Sequence, residues 1–169
     1  WTLIAPIISR LVDIALFRGG PERLPSSKFL LGLCLTFWFT ERIIFAQLGA
    51  STSENSFIAE LLIQLLIMVF IVAFFHTMLT IFNLKSRFLQ TITAYFGAES
   101  LIDLMVFLMF MAGEKTLFGA LLAHINLGWC VALLGFLIHR AFSISKVEGF
   151  IHGILVYMFI LLIISSGVS

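Results

Sequence analysis

Charge is what this chain has least of. Only 11% of its 169 residues are Asp, Glu, Lys or Arg, where a water-soluble domain carries roughly 25%. The net charge of +1 is too near neutrality for a nucleic-acid surface, so no nucleic-acid partner is expected. Cysteine is scarce too. Cys34 and Cys130 both sit inside apolar runs, where a lone thiol packs as a small apolar side chain rather than as half of a disulfide or a metal pair. Catalytic patterns are missing: no Gly-x-Ser-x-Gly elbow, no His-Glu-x-x-His, no phosphate-binding loop and no Gly-x-Gly-x-x-Gly. Nor is there an internal repeat or a low-complexity stretch. These absences lead us to expect a protein that is not an enzyme and holds no cofactor and no metal.

What the chain has in excess is apolar surface. Hydrophobic residues make up 61% and aromatic residues 14%, which excludes disorder and exceeds what one water-soluble core of this length hides. The 19 phenylalanines are spread over every apolar run and read as lipid-facing and packing surface. A helix crossing the hydrocarbon layer needs about 20 apolar residues. Five segments qualify: Phe29–Gly49, Phe57–Phe82, Phe88–Ala112, Leu117–His139 and Phe150–Gly167. They are continuously apolar rather than alternating, which excludes a closed β-barrel. The links 50–56, 83–87 and 113–116 are short and polar, so consecutive helices should pack as antiparallel neighbours. The expected fold is all-α: a polytopic membrane protein with residues 28–169 as a five-helix transmembrane bundle. Ser26 or Ser27 can cap the first span, and Ser145-Lys-Val-Glu148 has capping-box spacing before the fifth, which should therefore begin near Lys146.

Residues 1–27 differ. Ile7, Ile8, Leu11, Val12 and Ala15 recur at helical spacing, with Ser9, Arg10, Asp13 and Arg18 between them. The stretch is too charged to span, so an amphipathic helix in the membrane interface is expected, followed by a Gly-Gly-Pro turn. It lacks the order of features of a signal peptide. The chain opens on Trp1 rather than Met, so residues ahead of it are expected.

Lysine and arginine suggest an orientation. Arg10, Arg18, Arg23, Lys28, Lys85, Arg87, Arg140 and Lys146 fall on the N-terminal side of a five-span bundle, and only Arg42 and Lys115 on the other. That bias predicts a cytoplasmic N-terminus and a periplasmic C-terminus.

Ionisable residues inside spans are costly and usually face a partner or a cavity. In the third span Thr91, Tyr95, Glu99 and Asp103 follow one another at intervals of four, so they share a face. At 1.5 Å per residue, Asp103 lies about 22 Å and Glu99 about 16 Å from the start of that span. Glu41 and Arg42 in the first span, Glu60 and Gln64 in the second, and His124 and Asn126 in the fourth place polar groups in the same half of the bilayer. Arg42 is the one fixed cation there, with Glu99 or Asp103 as its natural counter-ion. A row of small residues, Gly119, Ala123, Gly128, Ala132 and Gly135, puts His124 on the expected packing face of the fourth span, and Gly149 and Gly153 form a second close-packing row in the fifth. His76, His139 and His152 read as interfacial residues with wet tips.

The polar set admits several readings. It can be a buried network that holds the helices in register. It can be a proton or cation pathway through Glu99, Asp103 and His124. A zinc or iron site from the same three residues lacks the close spacing of dedicated metal helices. An intramembrane hydrolase using His124 and Ser100 has no further support. Structural glue ranks first.

The entry Leu11-Val-Asp-Ile-Ala-Leu-Phe-Arg-Gly-Gly-Pro-Glu-Arg-Leu-Pro25 and the five closely spaced spans resemble bacterial members of the Yip1-like family of five-span membrane proteins. Eukaryotic members of that family are non-enzymatic trafficking adaptors that bind small GTPases and other membrane proteins. These 169 residues carry no counterpart of the long N-terminal region used for GTPase binding. The resemblance therefore implies a non-catalytic scaffold or accessory subunit of a bacterial inner-membrane complex. Its partners would be the lipid bilayer and other membrane proteins or further copies of the chain. A small proton- or cation-coupled transporter or channel centred on Glu99 and Asp103 is the alternative.

Overall fold

Inside hydrocarbon every backbone N–H and C=O must find its partner within the protein, so each apolar run has to close its own helical hydrogen bonds. A computed structural model describes residues 4–49, 54–111 and 117–167. Six helices follow one another: α1 (Ile4–Ala15), α2 (Lys28–Gly49), α3 (Glu54–Ile81), α4 (Phe88–Met111), α5 (Leu117–Phe142) and α6 (Lys146–Gly167), with single 3₁₀ turns at Pro21–Arg23 and Lys85–Arg87. No strand occurs among the described residues. The five helices from α2 to α6 are long and apolar enough to cross a membrane. The expected links 50–56 and 113–116 lie wholly or largely outside the described residues.

The helix ends follow their local signals. Ser27 Oγ accepts the Leu30 N–H at the start of α2. At the start of α6 the Ser145 hydroxyl accepts the Glu148 N–H at 3.2 Å, and the Glu148 carboxylate accepts the Ser145 N–H at 2.9 Å. This is the reciprocal capping box, and α6 begins at Lys146.

α4 is the centre of the bundle. Every residue from Thr91 to Ala98 is buried, and α1, α2, α3 and α5 all pack on it. α2 runs beside it in the same direction: Trp38 meets Phe96 and Phe45 meets Phe107. α5 returns antiparallel, with Arg87 of the preceding 3₁₀ turn donating to the Ala141 carbonyl at 3.0 Å.

α5 and α6 form the closest helix pair. A Cβ on Gly153 would lie 2.7 Å from Gly135 Cα, one on Gly135 2.9 Å from Phe150 Cα, and one on Gly149 2.6 Å from His139 Cβ. Only hydrogen fits at these three positions, and it is through Gly135, Gly149 and Gly153 that the two helices approach. The upper part of the small-residue row behaves differently. Gly128 is exposed, and a methyl group placed on it would meet nothing within 4 Å. Ala132 is half-buried. The side-chain surroundings of Gly119 and Ala123 lie outside the described residues.

α1 is amphipathic, and its apolar residues divide between two surfaces. Leu11, Ile14 and Ala15 are buried, while Ile8 and Val12 are exposed. Leu11 presses on Gly97 of α4 so closely that a Cβ there would lie 2.8 Å from Leu11 Cδ2. Trp129 of α5 donates its indole N–H to the Ala15 carbonyl at 2.8 Å, and Phe17 packs edge-to-face on Phe136. The N-terminal segment is thus docked onto the bundle.

Candidate functional site

The polar groups of α2, α4 and α5 meet around one guanidinium. Arg42 donates Nη2 to Asp103 Oδ2, and the same nitrogen lies 3.5 Å from Glu99 Oε1. The parallel run of α2 and α4 makes this possible, since equal steps along both helices keep Arg42 level with the Glu99–Asp103 face. Trp38, one turn before Arg42, donates its indole N–H to Glu99 Oε2 at 3.0 Å. Its ring lies under the guanidinium, 5.0 Å from Cζ to centroid, where the ring quadrupole attracts the cation. From α5, Asn126 Nδ2 donates to Asp103 Oδ1 at 3.0 Å, and the Cys130 thiol donates to Asn126 Oδ1 at 3.7 Å.

Both Asp103 oxygens and both Glu99 oxygens are therefore engaged. Asp103 is 5% exposed, so its charge sits where an unpaired carboxylate would be most costly. Tyr95, one turn earlier on α4, is buried between Phe75 and Phe96. Thr91 turns its hydroxyl back to the Arg87 carbonyl at 2.8 Å. The Tyr95 side chain also reaches Glu99, so the Tyr95–Glu99–Asp103 part of the expected stripe joins the network and Thr91 stays outside it.

Glu41 is the exception to this pairing. It is 6% exposed, and no well-aligned hydrogen bond reaches either of its carboxylate oxygens among the described residues; the buried Ser100 hydroxyl of α4 stands beside it. The set thus holds three acids, buried Glu41 and Asp103 and partly buried Glu99, for one arginine.

Two expectations need correction. His124 is exposed on α5 and does not face the polar set. Counting from the small residues puts it on the wrong side of the helix, because His124 lies eleven residues before Gly135, about 20° past three full turns, and so shares the α6-facing side of α5 rather than the side that meets α4. Asn126, two residues on, points the other way and makes the contact. His124 therefore does not join Glu99 and Asp103, and no group of three His, Cys, Asp or Glu side chains able to hold a metal ion occurs among the described residues. Glu60 and Gln64 also stay apart. Both are half-buried on α3, and neither hydrogen-bonds to Arg42, Glu99 or Asp103.

Trp38 is absent from the set expected from sequence, although its spacing of four from Arg42 places both on one face of α2. Cys130, read as apolar filler, extends the network through Asn126. Comparison of the chain with family models, curated proteins and solved structures finds no match.

Proposed function

We propose that this protein is a non-enzymatic membrane protein that works by lateral association, as an accessory or scaffold subunit of a larger complex in a bacterial inner membrane. The observation that carries this reading is the Glu60–Gln64 pair. It lies in the most apolar span, of which only 11% is buried within the chain. Neither side chain has a hydrogen bond or ion pair among the described residues. Polar groups in a span face partners, and this pair offers a neighbouring membrane protein a polar contact on the most exposed span. The engagement of Arg42, Glu99 and Asp103 with one another supports the same reading, since they then act as glue. The likeness to Yip1-like proteins agrees with a non-catalytic role. The excess of basic residues at one end favours a cytoplasmic N-terminus.

A photo-crosslinking residue at position 64, activated in native membranes, should give one discrete protein adduct, either a second copy or another membrane protein. The adduct should vanish in Glu60→Leu and be absent from the same residue at position 155 on the outer face of α6. Lipid adducts alone at position 64 would overturn the proposal.

Buried Glu41, left outside the ion pairs that Arg42 makes with Glu99 and Asp103, favours a second reading, a small proton- or cation-coupled transporter or channel using Glu99 and Asp103. Proteoliposomes holding a pH-sensitive dye separate the two. A proton leak abolished by Asp103→Asn supports the transporter, and an unchanged internal pH supports the scaffold.

A further inference from the structure

The basic end of the bundle holds two adjoining cavities of opposite character. The first, about 390 Å³, is lined by Glu22, Arg87, Gln90, His139 and Arg140, among others. The second, about 520 Å³, is an apolar groove between α5, α6 and the end of α1, walled by Phe17, Phe136 and Phe150, with Lys146 also in its lining. His139 lines both. Its Nδ1 donates to the Ile144 carbonyl, which fixes the ring and leaves Nε2 as its other polar atom.

Four basic side chains and one acid surround this pair of cavities. The acid, Glu22, is paired with Arg140, and Gly20 sits so close to that pair that no Cβ would fit. Arg87 uses one nitrogen, Nη1, for the Ala141 carbonyl at 3.0 Å and the Ser143 hydroxyl at 2.8 Å. A guanidinium has five N–H donors, so donors remain for an anion. After Glu22 is set against Arg140, the polar cavity keeps one net positive charge from its arginines, which matches a phosphodiester monoanion. An apolar groove beside a cationic cavity at the end of a membrane-spanning bundle matches an acyl chain beside its headgroup.

We propose that this end of the bundle binds one anionic phospholipid, with its phosphodiester in the arginine-lined cavity and an acyl chain in the Phe17–Phe136–Phe150 groove. Both parts are needed. A free anion would leave the groove unused, and a zwitterionic lipid would bring its own cation beside the arginines.

The test uses the full chain in a nonionic detergent, titrated with dioleoylphosphatidylglycerol or dioleoylphosphatidylcholine, with single-lipid adducts read by native mass spectrometry. The phosphatidylglycerol adduct should form about five-fold more tightly or better, the effect of one basic residue near a headgroup. Arg140→Gln should remove that preference, and Glu22→Gln, which removes the competing carboxylate, should increase it. The two changes act in opposite directions on the same exposed ion pair, so a common loss of folding cannot imitate the result. Ala132→Trp, which fills the groove, should weaken the phosphatidylglycerol adduct while leaving the melting temperature of the lipid-free protein in place. Equal binding of the two lipids, or no response to Arg140→Gln and Glu22→Gln, would overturn the proposal. So would full displacement of phosphatidylglycerol by inorganic phosphate, which would make the cavity an anion site.

Discussion

Arg42 faces two carboxylates and an indole ring, and each of these contacts can be removed singly. Asp103→Asn leaves the guanidinium with Glu99 alone, and Arg42→Gln leaves both carboxylates without a cation. Breaking a buried pair from one side costs about 3–5 kcal/mol, so each single variant should lower stability in detergent markedly. The double variant Arg42→Gln with Asp103→Asn should recover much of the loss, because two amides still hydrogen-bond across the helices. A double-mutant cycle on unfolding free energies should give a coupling of about 1–3 kcal/mol. No coupling there, nor in the same cycle with Glu99→Gln, would remove Arg42 from the network and favour the transporter. Trp38→Phe keeps the ring under the cation and removes only the donor to Glu99, for an expected loss of about 0.6–1.7 kcal/mol. At this scale the pairing of Arg42 with Glu99 and Asp103 was legible because one fixed cation and two acids share a depth. The face presented by His124 was not legible, since a small-residue row tells which helix packs closely but not against which neighbour.

Single helices carry the next set of expectations. The α5–α6 seam predicts a contrast between glycines of one chain. Gly153→Ala drives a Cβ to 2.7 Å from the Gly135 backbone, so the helices must part, at about 1–3 kcal/mol. Gly128→Ala meets nothing within 4 Å and should change stability by no more than about 0.5 kcal/mol. Thermal unfolding in detergent measures both, and equal effects would mean that the seam is not where the two helices are held. α1 offers a similar contrast. Leu11→Ala empties the contact with Gly97 and should cost about 2 kcal/mol or more, whereas Val12→Ala, on the exposed side, should stay within about 0.5 kcal/mol. If both are silent, the segment is merely laid on the bundle. The five long helices and the capping box at Ser145 were readable, because length, apolarity and caps are local properties. The docking of α1 was not, because it depends on Gly97 and Trp129, more than 80 residues further along the chain; helical spacing shows that a stripe is apolar without showing what covers it.

The whole molecule has a basic end and an end with few basic residues. If the bias in Lys and Arg sets orientation, a reporter fused after Ser169 should read as periplasmic and one inserted at Lys85–Arg87 as cytoplasmic. The reverse pattern would invert the protein, and both reporters on one side would break the odd number of spans. The described helices also place α4 inside and α3 largely outside, and the spans announce that order: mean hydropathy rises from 1.4 in α4 to 2.7 in α3 as the buried share falls from 61% to 11%. Which faces of its neighbours close around α4 is fixed only when the helices assemble.

That order in space runs against the order in time. Arg42 precedes Asp103 by 61 residues. At roughly 5–20 residues per second of synthesis, α2 is made about 3–12 s before the acids that neutralise it. During that interval α2 carries a guanidinium whose two partners have not yet been synthesised, and Asn126 arrives later still. α2 is then the least membrane-stable part of the growing chain, and a translational pause between α2 and α4 would prolong its exposure to quality-control proteases without altering one contact of the finished protein.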